Sequence, residues 1–157
     1  MKANCTYLAY SQTNYFSDLV IDYLDAGEKL LPFYKHEVSI AGIKKSIDAR
    51  KLFPQQREVL VHELQRQYEG LPQIPTVSHN IKLLRNADTF TVTTAHQPNI
   101  FTGPLYFIYK ILHTIQLAAT LKKQLPEYNF IPVYYMGSED ADLDEIGNIK
   151  IDGVTYK

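Results

Sequence analysis

The chain has 157 residues, 45% of them hydrophobic and 21% charged, enough apolar content to fold as one globular domain. A formal net charge of -1 and a sequence pI of about 6.5 argue against a nucleic-acid binder driven by phosphate contacts. No apolar run approaches the roughly 20 residues that cross a bilayer, the N-terminus lacks a signal-peptide core, and a single cysteine, Cys5, excludes an internal disulfide and fits a reducing cytoplasm.

The first half reads as helices. Phe16, Leu19, Val20, Tyr23 and Leu24 recur at helical spacing, with Thr13 or Asn14 available as cap and Gly27 as the stop. Ile40, Ile43, Ile47 and Leu52 predict a second helix. A third starts on Pro54, carries Val59, Leu60 and Leu64, and ends at Gly70. Pro72 and Pro75 then break the chain before a short helix over "TVSHNIKLLRNA".

The second half changes character. Thr89 to Ala95 is rich in threonine and valine and predicts a strand. Leu105 to Leu125 predicts a long helix with two apolar stripes: Leu105, Ile108, Leu112, Ile115 and Ala119, then Phe107, Ile111, Ala118, Leu121 and Leu125. Such a helix is expected to be packed on both sides. "NFIPVYYMG" predicts a second, buried parallel strand, and "IGNIKIDGVTYK" a hairpin turning at Asp152-Gly153. The expectation is therefore an α/β fold: a helical region over 1–85, then a first βαβ unit and hairpin over 86–157. Two strands and a ribbon make an incomplete parallel sheet, as in the N-terminal piece of a longer enzyme.

In an open α/β sheet the ligand sits beyond the carboxyl ends of the strands. "HQPNIFTGP" follows the first strand there. Gly103 allows close backbone approach, Pro104 suits the first helical position, and the helix start favours an anion. Gly103, Tyr106, Lys110 and His113 share one helix face, and Lys110 is the cation nearest the helix start. The bland reading has His96 and Asn99 capping a turn and Lys110 on the surface. Beyond the second strand, Ser138 precedes Glu139, Asp140, Asp142, Asp144 and Glu145. Crowded carboxylates repel one another unless a metal ion, an ammonium or a helix dipole offsets them. Here the bland reading is an acidic helix start capped by Ser138, with Glu139 and Asp140 the better functional candidates. There is no GxGxxG, GxxxxGK[ST] or GxSxG motif, and no histidine spacing that suggests a metal site.

"HQPNIFTGPLYFIYK" followed by "IPVYYMGSEDADLDEIGNI" resembles the cysteine-adding enzyme family of bacillithiol biosynthesis, BshC. The pattern falls on His96, Gln97, Pro98, Phe101, Gly103, Pro104, Lys110, Ser138, Glu139, Asp140 and Asp142; the N-terminal helices are similar too. Many members carry a histidine where this sequence has Ala141, so that role is vacant or supplied otherwise. The resemblance implies a Rossmann-like, nucleotidyltransferase-like sheet and a cytoplasmic ligase joining L-cysteine to glucosaminyl malate, with ATP and Mg2+ as the cofactor. It implies His96, Gln97, Glu139 and Asp140 as catalytic residues and Asn99, Gly103, Lys110, Ser138 and Asp142 as substrate- or nucleotide-binding residues. By the same resemblance, full-length members dimerise through a coiled-coil arm, with no nucleic-acid or membrane partner. The rival expectations are another nucleotide-dependent transferase on this fold, or a non-catalytic α/β module.

Overall fold

The computed structural model describes residues 5–25, 27–99, 103–140 and 142–157. Phe101 and Ala141, two positions of the motif above, lie outside them. The chain forms two compact units, Met1–Phe53 and Pro54–Lys157.

The first unit is helical. A 3-10 turn at Tyr10–Gln12 precedes α1, Asp18–Leu24, and a second at Glu28–Phe33 precedes α2, Ile40–Lys51. The cap of α1 differs from the expectation: Ser17 is the N-cap. Thr13 lies five residues before the helix start, its hydroxyl donating to Tyr10 O at 2.7 Å, and Asn14 sits at φ 55, a left-handed kink upstream of the helix. Ser39 caps α2 by accepting from Gly42 N at 3.0 Å. Gly42 is a glycine because the chain folds back onto it; a Cβ there would lie 1.9 Å from Glu37 O. Ile47 is buried as the stripe predicts, but Leu52 is the C-cap and 85% exposed, since the helix has ended and no longer aims it inward.

The second unit holds α3, Arg57–Gln67; α4, Pro75–Leu83; β1, Thr89–His96; α5, Leu105–Gln124; β2, Asn129–Met136; α6, Leu143–Ile146; and the ribbon β3, Ile149–Ile151, with β4, Val154–Tyr156. Pro75 opens α4, where its missing N–H costs nothing. The ribbon turns where the sequence predicts, with Asp152 at φ 49 and Gly153 at φ 83, the mirror-image turn that suits a tight hairpin.

β1 and β2 pair in parallel, in register from Thr89↔Asn129 to His96↔Met136. Alternation along β2 sends its side chains to two different layers. Ile131 and Val133 join Val61, Ile81 and Leu84 of the α3–α4 layer. Tyr134, one residue on, meets Phe107 of α5 edge-on at 5.5 Å. Helices therefore cover both faces of the sheet, the layering of an α/β fold. Arg57 binds the layers together, donating to Leu84 O at 2.8 Å and to Thr89 O at 3.1 Å. At the far end of α5, Lys122 donates to Pro126 O, Tyr128 O and Asn129 Oδ1, satisfying carbonyls at the helix-to-β2 junction.

Three expectations change here. In α3 the buried residue is Val61, not Val59 or Leu60, because the face turned toward the sheet carries Arg57, Val61 and Leu64. On α5 only the stripe running through Thr114, Ala118 and Leu121 is buried; Leu105, Leu112 and Ile115 are at least half exposed, so the helix is not packed on both sides. β2 is not buried throughout: Ile131 is, while Tyr134, Tyr135 and Met136 at its carboxyl end are exposed.

The α3 correction is measurable. Val61 is 0% exposed and Val59 57%. Val61→Ala is expected to cost about 2 kcal/mol of unfolding free energy, and Val59→Ala about 0.5 kcal/mol or less, read from denaturant midpoints. Equal losses would restore the stripe inferred from sequence.

Candidate functional site

The register of β1 and β2 brings the two loop tips together. His96, the last residue of β1, is paired with Met136. Its carbonyl accepts from Gly137 N at 2.9 Å and from the Tyr134 hydroxyl at 3.1 Å. Farther out, the Gln97 side-chain oxygen lies 3.5 Å from Asp142 N. These links hold the segment after β1 against the segment after β2.

Between them lies a cleft of about 330 Å3 lined by Ala95, His96, Gln97, Lys110, Asp140 and Asp142. Each lining group has a local reason to be there. Lys110 stands two turns into α5 and reaches back to donate to Ala95 O at the strand end. Among the described residues no carboxylate lies within salt-bridge distance of its ammonium, so its charge is not cancelled locally. Asp140 ends a turn in which its N–H donates to Gly137 O at 3.2 Å. Asp142 caps α6, with Oδ1 accepting from Asp144 N at 2.9 Å. Ser138 is not that cap, because α6 starts five residues beyond it. One ammonium, two carboxylates, an amide and an imidazole thus share a small polar space. That set can hold a molecule carrying both charges, or an anion bridged to a cation.

His96 is held from three sides. Nε2 is 2.8 Å from the Tyr106 hydroxyl; Nδ1 is 2.9 Å from Asn99 Nδ2 and 3.0 Å from Gln97 O. Tyr106 and Phe107 place their rings 5.3 and 5.5 Å from the imidazole. Asn99 also donates to Gln97 O at 2.9 Å. Gly103 lies against Asn99: it has φ 61, and a Cβ on it would sit 2.7 Å from Asn99 Cγ. The close approach at Gly103 is therefore to a side chain of the chain itself. Pro104 is the N-cap of α5 rather than its first residue, and among the described residues the α5 start does not line the cleft.

The structure does not bring every candidate into one place. His96, Gln97, Lys110, Asp140 and Asp142 line the cleft; Asn99 and Gly103 stand behind His96. Ser138 and Glu139 are exposed on the turn after β2, and Glu139 accepts from the Tyr135 hydroxyl at 2.9 Å. Tyr106 is the residue that sequence reasoning placed on the Gly103–Lys110 face without giving it a role. Its helical spacing from Gly103 and Lys110 was the available signal. Among the described residues no group of three or more His, Cys, Asp or Glu is arranged to hold a metal ion. No helix among them is long and apolar enough to cross a membrane.

The bond to Glu139 raises the Tyr135 phenol above its ordinary range, because ionising it would place an anion beside the carboxylate. The folded-state pKa lies above the unfolded one. The stabilising bond is therefore complete below the unfolded tyrosine pKa and is lost as pH rises through the folded value. The ring-carbon NMR titration of Tyr135 is expected above the usual tyrosine range, and Glu139→Gln is expected to bring it down. An unchanged midpoint would show that the two groups do not meet in solution.

Comparison with known proteins points one way. The family model described as the bacillithiol biosynthesis BshC N-terminal Rossmann-like domain matches residues 1–157. A protein of Flavobacterium psychrophilum named "Putative cysteine ligase BshC" is 42% identical over 98% of this chain and 29% of its own length. Proteins of the same name from Flavobacterium johnsoniae and Chloroherpeton thalassium are 40% and 33% identical, over 100% and 87% of this chain. The chain spans 29% and 30% of the length of the two Flavobacterium relatives.

Proposed function

The chain belongs to the BshC family, as its Rossmann-like N-terminal domain, and we propose that the strand-end cleft is part of the site where a cysteine ligase of bacillithiol biosynthesis assembles its reactants. The observation that carries this reading is the charge makeup of the cleft. An uncancelled ammonium, Lys110, and two carboxylates, Asp140 and Asp142, flank His96 and Gln97 at the carboxyl ends of adjacent parallel strands. Relatives bear the name of cysteine ligase. The reaction proposed joins the carboxyl of L-cysteine to the amine of glucosaminyl malate.

Forming an amide from a free carboxylate is uphill in water, so the carboxyl oxygen must leave as part of a better leaving group. ATP, the cofactor the resemblance implies, would supply the group that activates it. The residues present fit a magnesium-bound phosphate. Lys110 offers a positive charge, Gln97 an amide, and one or two carboxylates suffice for Mg2+ when phosphate oxygens complete its shell. In this reading Lys110 offsets the charge of a phosphate or carboxylate. Asp140 and Asp142 take the positive partner, an ammonium or the metal. Gln97 donates to oxygen as negative charge develops, with His96 fixed beside it. Glu139 does not line the cleft and holds the Tyr135 hydroxyl through one carboxylate oxygen. Ser138, with its hydroxyl on the same turn, stands at the rim.

The test uses a polypeptide of the relatives' full length that carries this chain. His96→Ala and Asp140→Asn are each expected to lower turnover about a hundredfold, with a stability loss of about 1 kcal/mol for the first, which removes a packed ring, and about 0.5 kcal/mol or less for the second. Glu139→Gln is expected to lower it less than about tenfold. Undiminished amide formation in the first two variants would remove the cleft from catalysis. Thermal stabilisation by a nucleotide sugar, with none by L-cysteine or glucosaminyl malate, would favour a different transferase.

A further inference from the structure

We infer that Tyr106 is a positioning residue, which together with Asn99 holds the His96 ring with Nδ1 accepting and its proton on Nε2, so that neither ring nitrogen keeps a free lone pair to act as a base toward the cleft. The part of this that concerns a ligand rests on the proposed function; the part that concerns the ring does not.

The argument is one of donor and acceptor accounting. The Asn99 amide nitrogen has two N–H groups and no lone pair available for acceptance. It lies 2.9 Å from Gln97 O and 2.9 Å from His96 Nδ1, so one N–H serves each. Nδ1 is then an acceptor, and in a neutral imidazole the proton sits on Nε2. Nε2 faces the Tyr106 hydroxyl at 2.8 Å, and that oxygen accepts. The opposite tautomer would turn Nδ1–H toward Gln97 O, 3.0 Å away, and set it against the Asn99 N–H. Asn99 fits here because Gly103 lacks the Cβ that would overlap it.

Tyr106 suits the task by position. It lies in the first turn of α5, ten residues beyond His96, and packs its ring against the imidazole at an interplanar angle of 44°. Phe107 meets the imidazole edge-on and also contacts Tyr134 of β2. The ring is thus clamped by two adjacent residues of one helix. Tyr106 does not line the cleft, so it acts on a ligand through His96.

Nitrogen-15 NMR of the His96 ring in this chain reads the tautomer directly. The expected signature is a pyrrole-type Nε2 and a pyridine-type Nδ1. Tyr106→Phe keeps the ring packing and removes only the hydroxyl; it is expected to broaden or average the two signals. Asn99→Leu is expected to move the proton to Nδ1, where Gln97 O accepts it. In the full-length polypeptide, Tyr106→Phe is expected to lower kcat about tenfold with KM changed less than about twofold. A protonated Nδ1 in the unmodified chain, or ring signals unmoved in both variants, would overturn the inference. The NMR result stands apart from the ligase reading: full turnover in His96→Ala would sink that reading and leave the ring geometry as measured. An unmoved ring beside a catalytically essential His96 would do the reverse.

Discussion

The parallel pairing of β1 with β2 is the constraint on which the rest depends. A parallel pair has both carboxyl ends at one rim, and the crossover helix must return over one face of the sheet. The register fixes the rest: with His96 opposite Met136, the segment after β1 and the segment after β2 leave at the same height. Gly137 N on His96 O extends the ladder past the last pair and keeps the two exits in contact. A shift of one residue would turn His96 to the opposite face and separate Gln97 from Asp142.

The cleft is built from residues that do structural work at the same time. Lys110 satisfies the Ala95 carbonyl at the strand end, and Asp142 satisfies an N–H at the start of α6. These bonds set where each charge stands without neutralising it, since a backbone carbonyl and a backbone N–H carry dipoles and not whole charges. A salt bridge between the two would have been the simpler way to place them. It would also have cancelled the field that the cleft presents to a charged ligand.

Behind the cleft, glycine and asparagine divide a task. Gly103 takes a positive φ and lends the space its missing Cβ leaves; Asn99 fills that space and turns its amide to Gln97 O and His96. The imidazole is fixed by the helix on one side and the loop on the other. Glu139 shows the contrasting case, an exposed carboxylate paired with a tyrosine at the end of β2 and not among the lining groups.

Sequence alone carried the periodic and chemical signals. Threonine and valine alternation located β1, Asp152-Gly153 located the hairpin, and the apolar spacing located α5, because those signals are local and each residue's own backbone preference expresses them. The family motif named His96, Gln97, Lys110, Asp140 and Asp142 before their geometry was known. What packs against what was not legible. Val61 replaced Val59 and Leu60 as the buried residue of α3, and one stripe of α5 stayed exposed, because burial depends on where a second element lies and not on hydrophobicity. Nor could spacing separate Asp140, which lines the cleft, from Glu139, its neighbour, which pairs with Tyr135. The role of Tyr106 was hidden for the same reason. A tyrosine ten residues from a histidine means nothing along the chain, and becomes a 2.8 Å contact only when strand, loop and helix close on one another.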